Sequence, residues 1–311
     1  MEYVELGKRG LRISAVGIGM WQAAAEDWGK DVTDDSCLAA IHRAHELGVN
    51  LVDTAEVYGD GHSEEVVGRA VKEIGRDEFI IATKFGGHHF HADQIRRACE
   101  GSLKRLGVSE IDLYQAHWRD PCVPFEEPMR ALEALHREGK IRAIGVCNFS
   151  VRDLEEARSH LSRTDIVENQ VHLSLLERDA EREIVPYCRK EGIAILAWSP
   201  LEKGLLTGKY RKGHKPSDHV RKDRPLFRDA NLSEIAKLVK KLARIGKAHG
   251  RTPAQVALNW LLRQPGRVVP IPGAKTARQA EENTGAVGWR LSDAEVRELS
   301  DQQRALVLDT F

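Results

Sequence analysis

Short apolar runs separated by segments with helical periodicity recur eight times along this chain of 311 residues. Several runs are apolar at almost every position, without the alternation of a half-exposed strand, which is typical of parallel strands covered on both faces. Such an alternation of strands and helices predicts an α/β fold built on a parallel sheet. The predicted strands are 16–20, 50–54, 79–84, 111–117, 143–148, 167–172, 193–199 and 268–272.

The intervening segments carry the signals of helices. The segment 34–47 begins with acidic residues and places an apolar residue at every third or fourth position. Segments 63–75 and 128–137 have the same character. Thr252 followed by Pro253 predicts another helix, because proline is favoured at the first helical position.

Strand–helix units that repeat without a break in composition predict one domain over 1–311, a closed (β/α)8 TIM barrel with extra helices near the C-terminus. Before the barrel, 3–6 and 11–14 predict a hairpin with a turn at 7–10. The alternative is an open, doubly wound sheet. Its dinucleotide motif is incomplete, because the third glycine is missing after Gly17 and Gly19.

Composition excludes several classes of partner. The 47 basic residues equal the 47 acidic ones, so no net charge draws the chain to nucleic acid or to a membrane. The apolar runs are far below the ~18 residues of a membrane span, and the N-terminus resembles no leader. Five scattered cysteines without a C-x-x-C pair indicate reduced thiols. We therefore expect a cytoplasmic protein.

One long connection interrupts the pattern. Between 202 and 230 no strand or core helix is predicted, and nine basic residues stand against four acidic ones. A connection this long within a compact domain is usually functional. Because Arg and Lys suit phosphate oxygens, we expect this segment to cover a phosphate-bearing ligand. The alternative is a solvated surface loop.

Four polar residues stand where predicted strands give way to loops: Asp53, Tyr58, Lys84 and His117. Parallel strand ends share one face, so these side chains can converge there. An ammonium lowers the pKa of a neighbouring phenol from ~10, and a carboxylate holds that ammonium in place. With an imidazole donor beside them, the four predict a site that protonates a carbonyl oxygen. Taken singly, each has a structural explanation. Asp53 can be a cap, Tyr58 a loop aromatic, Lys84 a surface charge and His117 a packed residue at a strand end.

The segments around these residues resemble the aldo-keto reductase family over nearly the whole chain. The segment 52–59 reads Val-Asp-Thr-Ala-Glu-Val-Tyr-Gly, and 112–117 reads Asp-Leu-Tyr-Gln-Ala-His. Further matching segments follow in the family's order. The hairpin and the Gly-Leu-Leu-Thr-Gly-Lys-Tyr run at 204–210 resemble the bacterial, channel-β-subunit-like branch. The further matches are 83–86, 145–150, 168–170, 198–201, 271–274 and 282–283.

The resemblance implies a role for each of the four residues. Tyr58 would be the general acid, Lys84 and Asp53 would lower its pKa, and His117 would orient the carbonyl. Relatives that reduce carbon–carbon double bonds carry a carboxylic acid at the position of His117, so carbonyl chemistry is expected here.

The resemblance also implies an NADP(H) site. Asn148 and Gln170 would bind the nicotinamide carboxamide, and Trp198 would stack on the ring, although a core aromatic is the alternative. One departure is His172-Leu173, where many relatives have an aromatic residue. Lys275 with Thr276 and Arg278 favours NADP over NAD. The remaining cofactor residues would be Ser199, Pro200, Leu201, Gly204 and Lys209 at the pyrophosphate, and Gly273, Lys275, Gln279, Glu282 and Asn283 at the adenosine.

The expected function is NADP(H)-dependent reduction of an aldehyde or ketone by direct hydride transfer. One alternative is a regulatory subunit that senses NADP and turns over little. Another is an NAD-dependent sugar or polyol dehydrogenase. The expected partner is a small carbonyl or sugar-like substrate.

A histidine-rich tract at 86–91 resembles a metal-binding sequence. Sequence spacing supplies no third and fourth ligand, so we predict no metal. Instead His88, with His89 and Phe90, is expected to line the substrate mouth. Trp21 and Trp118 are expected to form pocket walls, with ordinary packing as the alternative. Cys147 is expected to be a buried, inert thiol.

Overall fold

The computed structural model describes residues 1–7, 10–24, 28–29 and 32–309. Within them, eight strands form one parallel sheet in which each strand pairs with its neighbour in the chain. The strands are β3 (Ile18–Gly19), β4 (Leu51–Asp53), β5 (Ile80–Phe85), β6 (Ile111–Ala116), β7 (Ile141–Cys147), β8 (Ile166–His172), β9 (Ala194–Trp198) and β10 (Val268–Pro270).

The sheet closes on itself between its first and last strands. The amide of Gly17 donates to the Pro270 carbonyl at 3.0 Å, and that of Gly19 donates to the Pro272 carbonyl at 3.1 Å. Gly19 also pairs with Gly273 in a parallel bridge. A Cβ at Gly19 would lie 3.0 Å from the Ile271 carbonyl oxygen, so glycine permits this close approach. The predicted barrel is confirmed, and the open sheet is excluded.

Helices cover the outside of the barrel, and side-chain caps fix several of their starts. Thr33, Ser150, Thr252 and Ser292 each accept a hydrogen bond from the third residue of a helix. The helices are α1 (Asp34–Glu46), α2 (His62–Ile74), α3 (Ala92–Leu106), α4 (Glu126–Arg137), α5 (Val151–Ser159), α6 (Ile184–Glu191), α7 (Asp229–His249), α8 (Pro253–Leu262), α9 (Ala277–Thr284) and α10 (Asp293–Arg304).

The helix predicted at 128–137 begins two residues earlier than expected. Pro128 lies in the first turn of α4, where an amide has no partner within the helix, so the ring is tolerated there. The other predicted helices are confirmed within one residue at their starts.

The N-terminal hairpin fills the lower end of the barrel. Strands β1 (Tyr3–Leu6) and β2 (Leu11–Ser14) pair antiparallel, while residues 8 and 9 of the predicted turn lie outside the described residues. Asn50, just before β4, holds the hairpin by accepting from the Ser14 amide at 2.7 Å. The buried side chains that pack together at this end include Leu6, Leu11 and Ile13 of the hairpin and Leu51, Leu113 and Leu196 of the barrel.

Loops form the upper end of the barrel, where the strands reach their carboxyl termini. The long segment 202–230 contains two short 3-10 turns, Glu202–Thr207 and Pro225–Phe227, before α7 begins. It is anchored by a small core in which Tyr210 and Phe227 pack edge to face at 5.4 Å. The described helices include none that is long and apolar enough to cross a membrane.

Candidate active site

The upper end of the barrel brings the four predicted residues together. Asp53 is the last residue of β4, Lys84 lies in β5, and His117 directly follows β6. Tyr58 stands in the loop after β4, and its hydroxyl lies 3.4 Å from Nζ of Lys84. The rings of Tyr58 and His117 meet edge to face at 5.7 Å.

Lys84 is fully buried and has three polar partners. Its Nζ donates to Oδ1 of Asp53 at 2.6 Å, to the Thr54 carbonyl at 2.8 Å and to the Tyr58 hydroxyl. Burial by itself lowers the pKa of this ammonium, but the charges of Asp53 and Tyr58 oppose that effect and hold the pKa above its usual range. Lys84 is therefore a fixed positive charge beneath the tyrosine.

The second oxygen of Asp53 is held by two amides. Oδ2 accepts from Nε2 of Gln115 at 3.2 Å and from Nε2 of Gln170 at 2.9 Å. Gln115 was assigned no role from the sequence; in the structure it pairs in register with Lys84, so both side chains point into the barrel. These contacts fix the Asp53 carboxylate in orientation.

The expected lowering of the Tyr58 pKa is wrong for this structure. Burial raises the pKa of Tyr58 to about 12, the Lys84 ammonium opposes the rise, and the Asp53 charge adds to it. Desolvation of the phenolate therefore outweighs its attraction to the ammonium. Tyr58 keeps its proton at neutral pH and can donate it.

His117 is neutral at physiological pH. Burial, assisted by the charge of Lys84, lowers its pKa to about 3. Its Nδ1 atom is buried and has no hydrogen-bond partner in the described part of the chain. Since the residue also lines the cleft above the site, its ring can present Nε2 to a ligand there.

A cleft of about 860 Å³ opens above these residues, within the size range of small-molecule sites. Every predicted site residue lines this cleft except Lys84 and His88. Lys84 lies beneath the cleft. The predicted residues that line it are Trp21, Asp53, Tyr58, His117, Trp118, Asn148, Gln170, Trp198, Ser199, Pro200, Leu201, Gly204, Lys209, Gly273, Lys275, Gln279, Glu282 and Asn283.

The histidine tract does not line this cleft, so its place at the substrate mouth stays a prediction. His88 is not part of the cleft wall, and Nδ1 of His89 lies 2.8 Å from the acceptor Oε1 of Glu56. Phe90 is buried and packs against Phe85 at 6.0 Å. Both histidines belong to the short 3-10 turn Gly87–His89, which follows β5.

Trp198 is held on two sides. Its Nε1 donates to Oδ1 of Asn148 at 3.0 Å, and the His172 ring stacks on it at 4.0 Å with an interplanar angle of 11°. His172 in turn is held by Glu202, because its Nε2 lies 2.6 Å from Oε1 of Glu202. Glu202 is buried, and the same oxygen accepts a hydrogen bond from the Ser174 hydroxyl. The departure at His172 therefore places an aromatic ring against the tryptophan.

Backbone strain marks the two loops that follow β7 and β9. Asn148, Ser199, Glu202 and Lys203 have positive φ angles of 60°, 49°, 47° and 52°. Such conformations are unfavourable for residues other than glycine, and they cluster where a ligand site over-determines the backbone. All but Glu202 of these four residues line the cleft.

The wall of the cleft is mainly basic. Five basic side chains line the cleft, whereas its acidic lining is limited, among the described residues, to Asp53 and Glu282. Arg221 is paired with Asp218 and lies 5.3 Å from the ring centre of Trp28, and Nζ of Lys275 donates to the Trp28 carbonyl at 2.8 Å. The five basic residues are Lys203, Lys209, Arg221, Arg224 and Lys275.

The sequence did not predict Trp28 as part of the cleft, and it gave no individual role to Arg221 or Arg224. Trp28, between β3 and α1, carries no local motif that would assign it to the cleft. Arg221 and Arg224 were recognised only as part of a basic segment. That segment was predicted to cover a ligand, and the place of both arginines in the cleft wall supports this. The alternative of a merely solvated loop does not fit its buried residues.

Comparisons with known proteins agree with this geometry. A family model described as the aldo/keto reductase family matches residues 15–303. The NADH-specific methylglyoxal reductase of Escherichia coli (strain K12) is 31% identical, over 98% of this chain and 99% of the relative.

Two solved structures are similar over nearly their whole length. The glycerol dehydrogenase AKR11B4 from Gluconobacter oxydans is 34% identical with a TM-score of 0.90, covering 99% of this chain and 97% of that one. An aldo/keto reductase from Klebsiella pneumoniae in complex with NADP and acetate is 29% identical with a TM-score of 0.76, covering 99% of both chains.

Proposed function

The chain belongs to the aldo/keto reductase family, and from that premise we propose that it is an NADP(H)-dependent oxidoreductase that reduces an aldehyde or ketone to an alcohol. The observation that carries the proposal is the hydrogen-bonded series Asp53–Lys84–Tyr58, which ends beside His117 at the base of the cleft. We further propose that 1–311 acts as one domain in the cytoplasm, where its five free cysteines would stay reduced.

Two amide side chains fit the nicotinamide end of the cofactor. Nε2 of Gln170 is used by Asp53 and Gln115, and Oδ1 of Asn148 is used by Trp198. Within the described residues, Oε1 of Gln170 and Nδ2 of Asn148 have no partner. One acceptor and one donor therefore remain, which is the complement of a primary carboxamide.

The basic wall of the cleft fits the phosphates. Its five basic side chains suit the pyrophosphate and the 2′-phosphate of NADP(H). Thr276 caps α9, whose N-terminal amides favour an anion. Two buried polar atoms of cleft-lining residues, Nε1 of Trp28 and Oε1 of Gln22, have no partner in the described part of the chain, as expected of groups that meet a ligand.

The residues at the base of the cleft perform the proton transfer. When bound, the nicotinamide supplies the hydride that passes to the carbonyl carbon. Tyr58 donates its hydroxyl proton to the carbonyl oxygen, and Lys84 stabilises the phenolate that this leaves. Asp53 keeps Lys84 charged, and neutral His117 donates one N–H···O hydrogen bond to the carbonyl oxygen of the substrate.

A second candidate is oxidation of a polyol, favoured by the likeness to the Gluconobacter glycerol dehydrogenase. The same residues would act in reverse, with Tyr58 accepting a proton. Because the pKa of Tyr58 is raised to about 12, the phenolate is scarce at neutral pH, which favours reduction. Initial rates with aldehydes and with polyols, each measured with both nicotinamide cofactors, separate the two candidates.

The test of the proposal is Tyr58→Phe, with Tyr187→Phe as the matched control. Tyr187 also loses only a phenol oxygen, which bonds Arg158 on the outside of the barrel. We expect Tyr58→Phe to lower kcat for a reactive aldehyde by roughly 10²–10⁴-fold, and NADPH binding by fluorescence to be retained. Near-wild-type turnover of Tyr58→Phe would show that the assigned acid is wrong.

A further inference from the structure

A cluster of metal-binding side chains lies outside the cleft. Glu56, His88 and His89 each offer one ligand atom, and these atoms lie within 4.8 Å of one another. Glu56 comes from the loop after β4, and both histidines come from the 3-10 turn after β5. Sequence spacing could not reveal the cluster, because the third ligand is 32 and 33 residues away from the two histidines.

Glu56 is prepared for this role by its surroundings. Its side chain is only 9% exposed, and Oε1 accepts from the Gly86 amide at 2.6 Å and contacts Nδ1 of His89 at 2.8 Å. The carboxylate is thus oriented toward the histidines by a backbone donor, as ligands in metal sites usually are. The ring nitrogens of His88 have no hydrogen-bond partner in the described part of the chain.

The donor set selects the class of ion. Two imidazoles and one carboxylate form the protein ligands of known zinc sites that leave a fourth position for water. Imidazole suits Zn²⁺, Ni²⁺ and Cu²⁺, whereas Mg²⁺ and Ca²⁺ prefer a shell of oxygens. The rings of His88 and His89 are 4.0 Å apart, so modest side-chain rotations bring both nitrogens to one ion.

We propose that Glu56, His88 and His89 bind a divalent transition-metal ion of the zinc type, with water in the open position. Neither ring nor carboxylate takes part in the proposed hydride chemistry, so the site is independent of that function. An ion there would connect the loop after β4, which carries Tyr58, to the loop after β5. It would therefore stabilise the mouth of the cleft from its outer side.

The position next to the cleft follows from three observations. The Glu56 amide donates to the Lys84 carbonyl at 3.1 Å, and Val57, the next residue, lines the cleft. On the other loop, a Cβ on Gly87 would lie 3.2 Å from the carbonyl oxygen of Trp118, a residue of the cleft wall.

Calorimetric titration of the tag-free protein with ZnCl₂ and NiCl₂ tests the site. We expect one ion per chain. Loss of a group that only orients a metal ligand raises the Kd for the metal by roughly 10–100-fold. Because His88→Ala, His89→Ala and Glu56→Gln each remove a ligand, we expect their Kd to rise by at least this factor. Glu56→Gln keeps an oxygen that can accept from Gly86, so its fold should be preserved.

His42→Ala is the matched control. His42 and Glu73 form a histidine–carboxylate pair at 2.7 Å on the helical surface, but they have no third ligand within the described residues. We expect this variant to bind Zn²⁺ like the wild type. Absence of binding by the wild type, or equal affinities in His42→Ala and His88→Ala, would overturn the proposal.

Discussion

Nζ of Lys84 lies 2.6 Å from Oδ1 of Asp53, and the side chains of this ion pair are 0% and 3% exposed. Two opposite charges enclosed this completely depend on one another, because neither can be solvated by water. The pair joins the end of β4 to β5 directly below Tyr58. It therefore contributes both to the barrel and to the proposed chemistry.

Removal of either partner should destabilise the fold. For Lys84→Met and Asp53→Leu we expect the free energy of unfolding to fall by about 3–5 kcal/mol, since a buried charge loses its counter-ion. Guanidinium denaturation followed by circular dichroism measures this. The double variant Lys84→Met/Asp53→Leu should recover part of the loss, and additive losses would contradict mutual dependence of the pair. All three variants should be inactive.

Reduction should be insensitive to pH around neutrality. The pKa of Tyr58 is raised to about 12 and that of His117 is lowered to about 3, so neither group titrates between about pH 6 and 9. We expect a flat profile of kcat/KM for a neutral aldehyde over that range. Oxidation of the alcohol should rise with pH, because the small phenolate fraction of Tyr58 increases well below its pKa. An inflection near pH 6–7 that His117→Gln abolishes would contradict this assignment.

Glu168 should make stability depend on pH. It is fully buried inside the barrel, and within the described residues neither carboxyl oxygen has a side-chain hydrogen-bond partner. Burial first, and the Asp53 charge second, hold its pKa well above the usual range. Above the unfolded-state pKa of ~4.3, the unfolded chain loses a proton that the folded chain keeps, so the stability of the wild type falls as pH rises.

Glu168→Gln removes this dependence. We expect the variant to gain stability relative to the wild type with increasing pH, by up to about 1.4 kcal/mol per pH unit while the folded carboxyl stays protonated. Urea denaturation at several pH values measures the difference. The exposed Glu155→Gln is the control, and a wild-type–variant difference that stays constant with pH would exclude the effect.

Lys275 should discriminate between the two nicotinamide cofactors. It lies in the basic wall of the cleft beside Trp28, close to where the 2′-phosphate is proposed to bind. A hydrogen bond to a charged group contributes about 1.5–3 kcal/mol, so Lys275→Gln should weaken NADPH binding by roughly 10–150-fold and NADH binding little. Fluorescence titration measures both Kd values. The exposed Lys240→Gln is the control, and equal losses for both cofactors would place the phosphate elsewhere.

The eight strands were predictable because their signal is local. A parallel strand covered on both faces is typically apolar at nearly every position, and 193–199 shows this without reference to any other segment. Strand ends were less certain. The prediction 16–20 shortens to Ile18–Gly19, since pairing with both β4 and the segment after β10 decides where this strand begins.

The site divides in the same way. Asp53, Tyr58, Lys84 and His117 could be found in the sequence because parallel strands present their carboxyl ends on one face. The roles of Gln115 and Glu168 could not, because they depend on which side chains meet inside the barrel. The expected lowering of the Tyr58 pKa failed for a related reason: the sequence showed the neighbouring ammonium but not the desolvation that opposes it.

The sequence by itself determined the barrel, its order of strands and the residues at its upper end, because backbone periodicity and chain connectivity act over short separations. The tertiary structure decided which charges are buried, how a neutral His117 and a protonated Tyr58 arise, and that Glu56 joins His88 and His89. These properties depend on solvent exclusion and on contacts between residues distant in the chain, and neither is written in a local pattern.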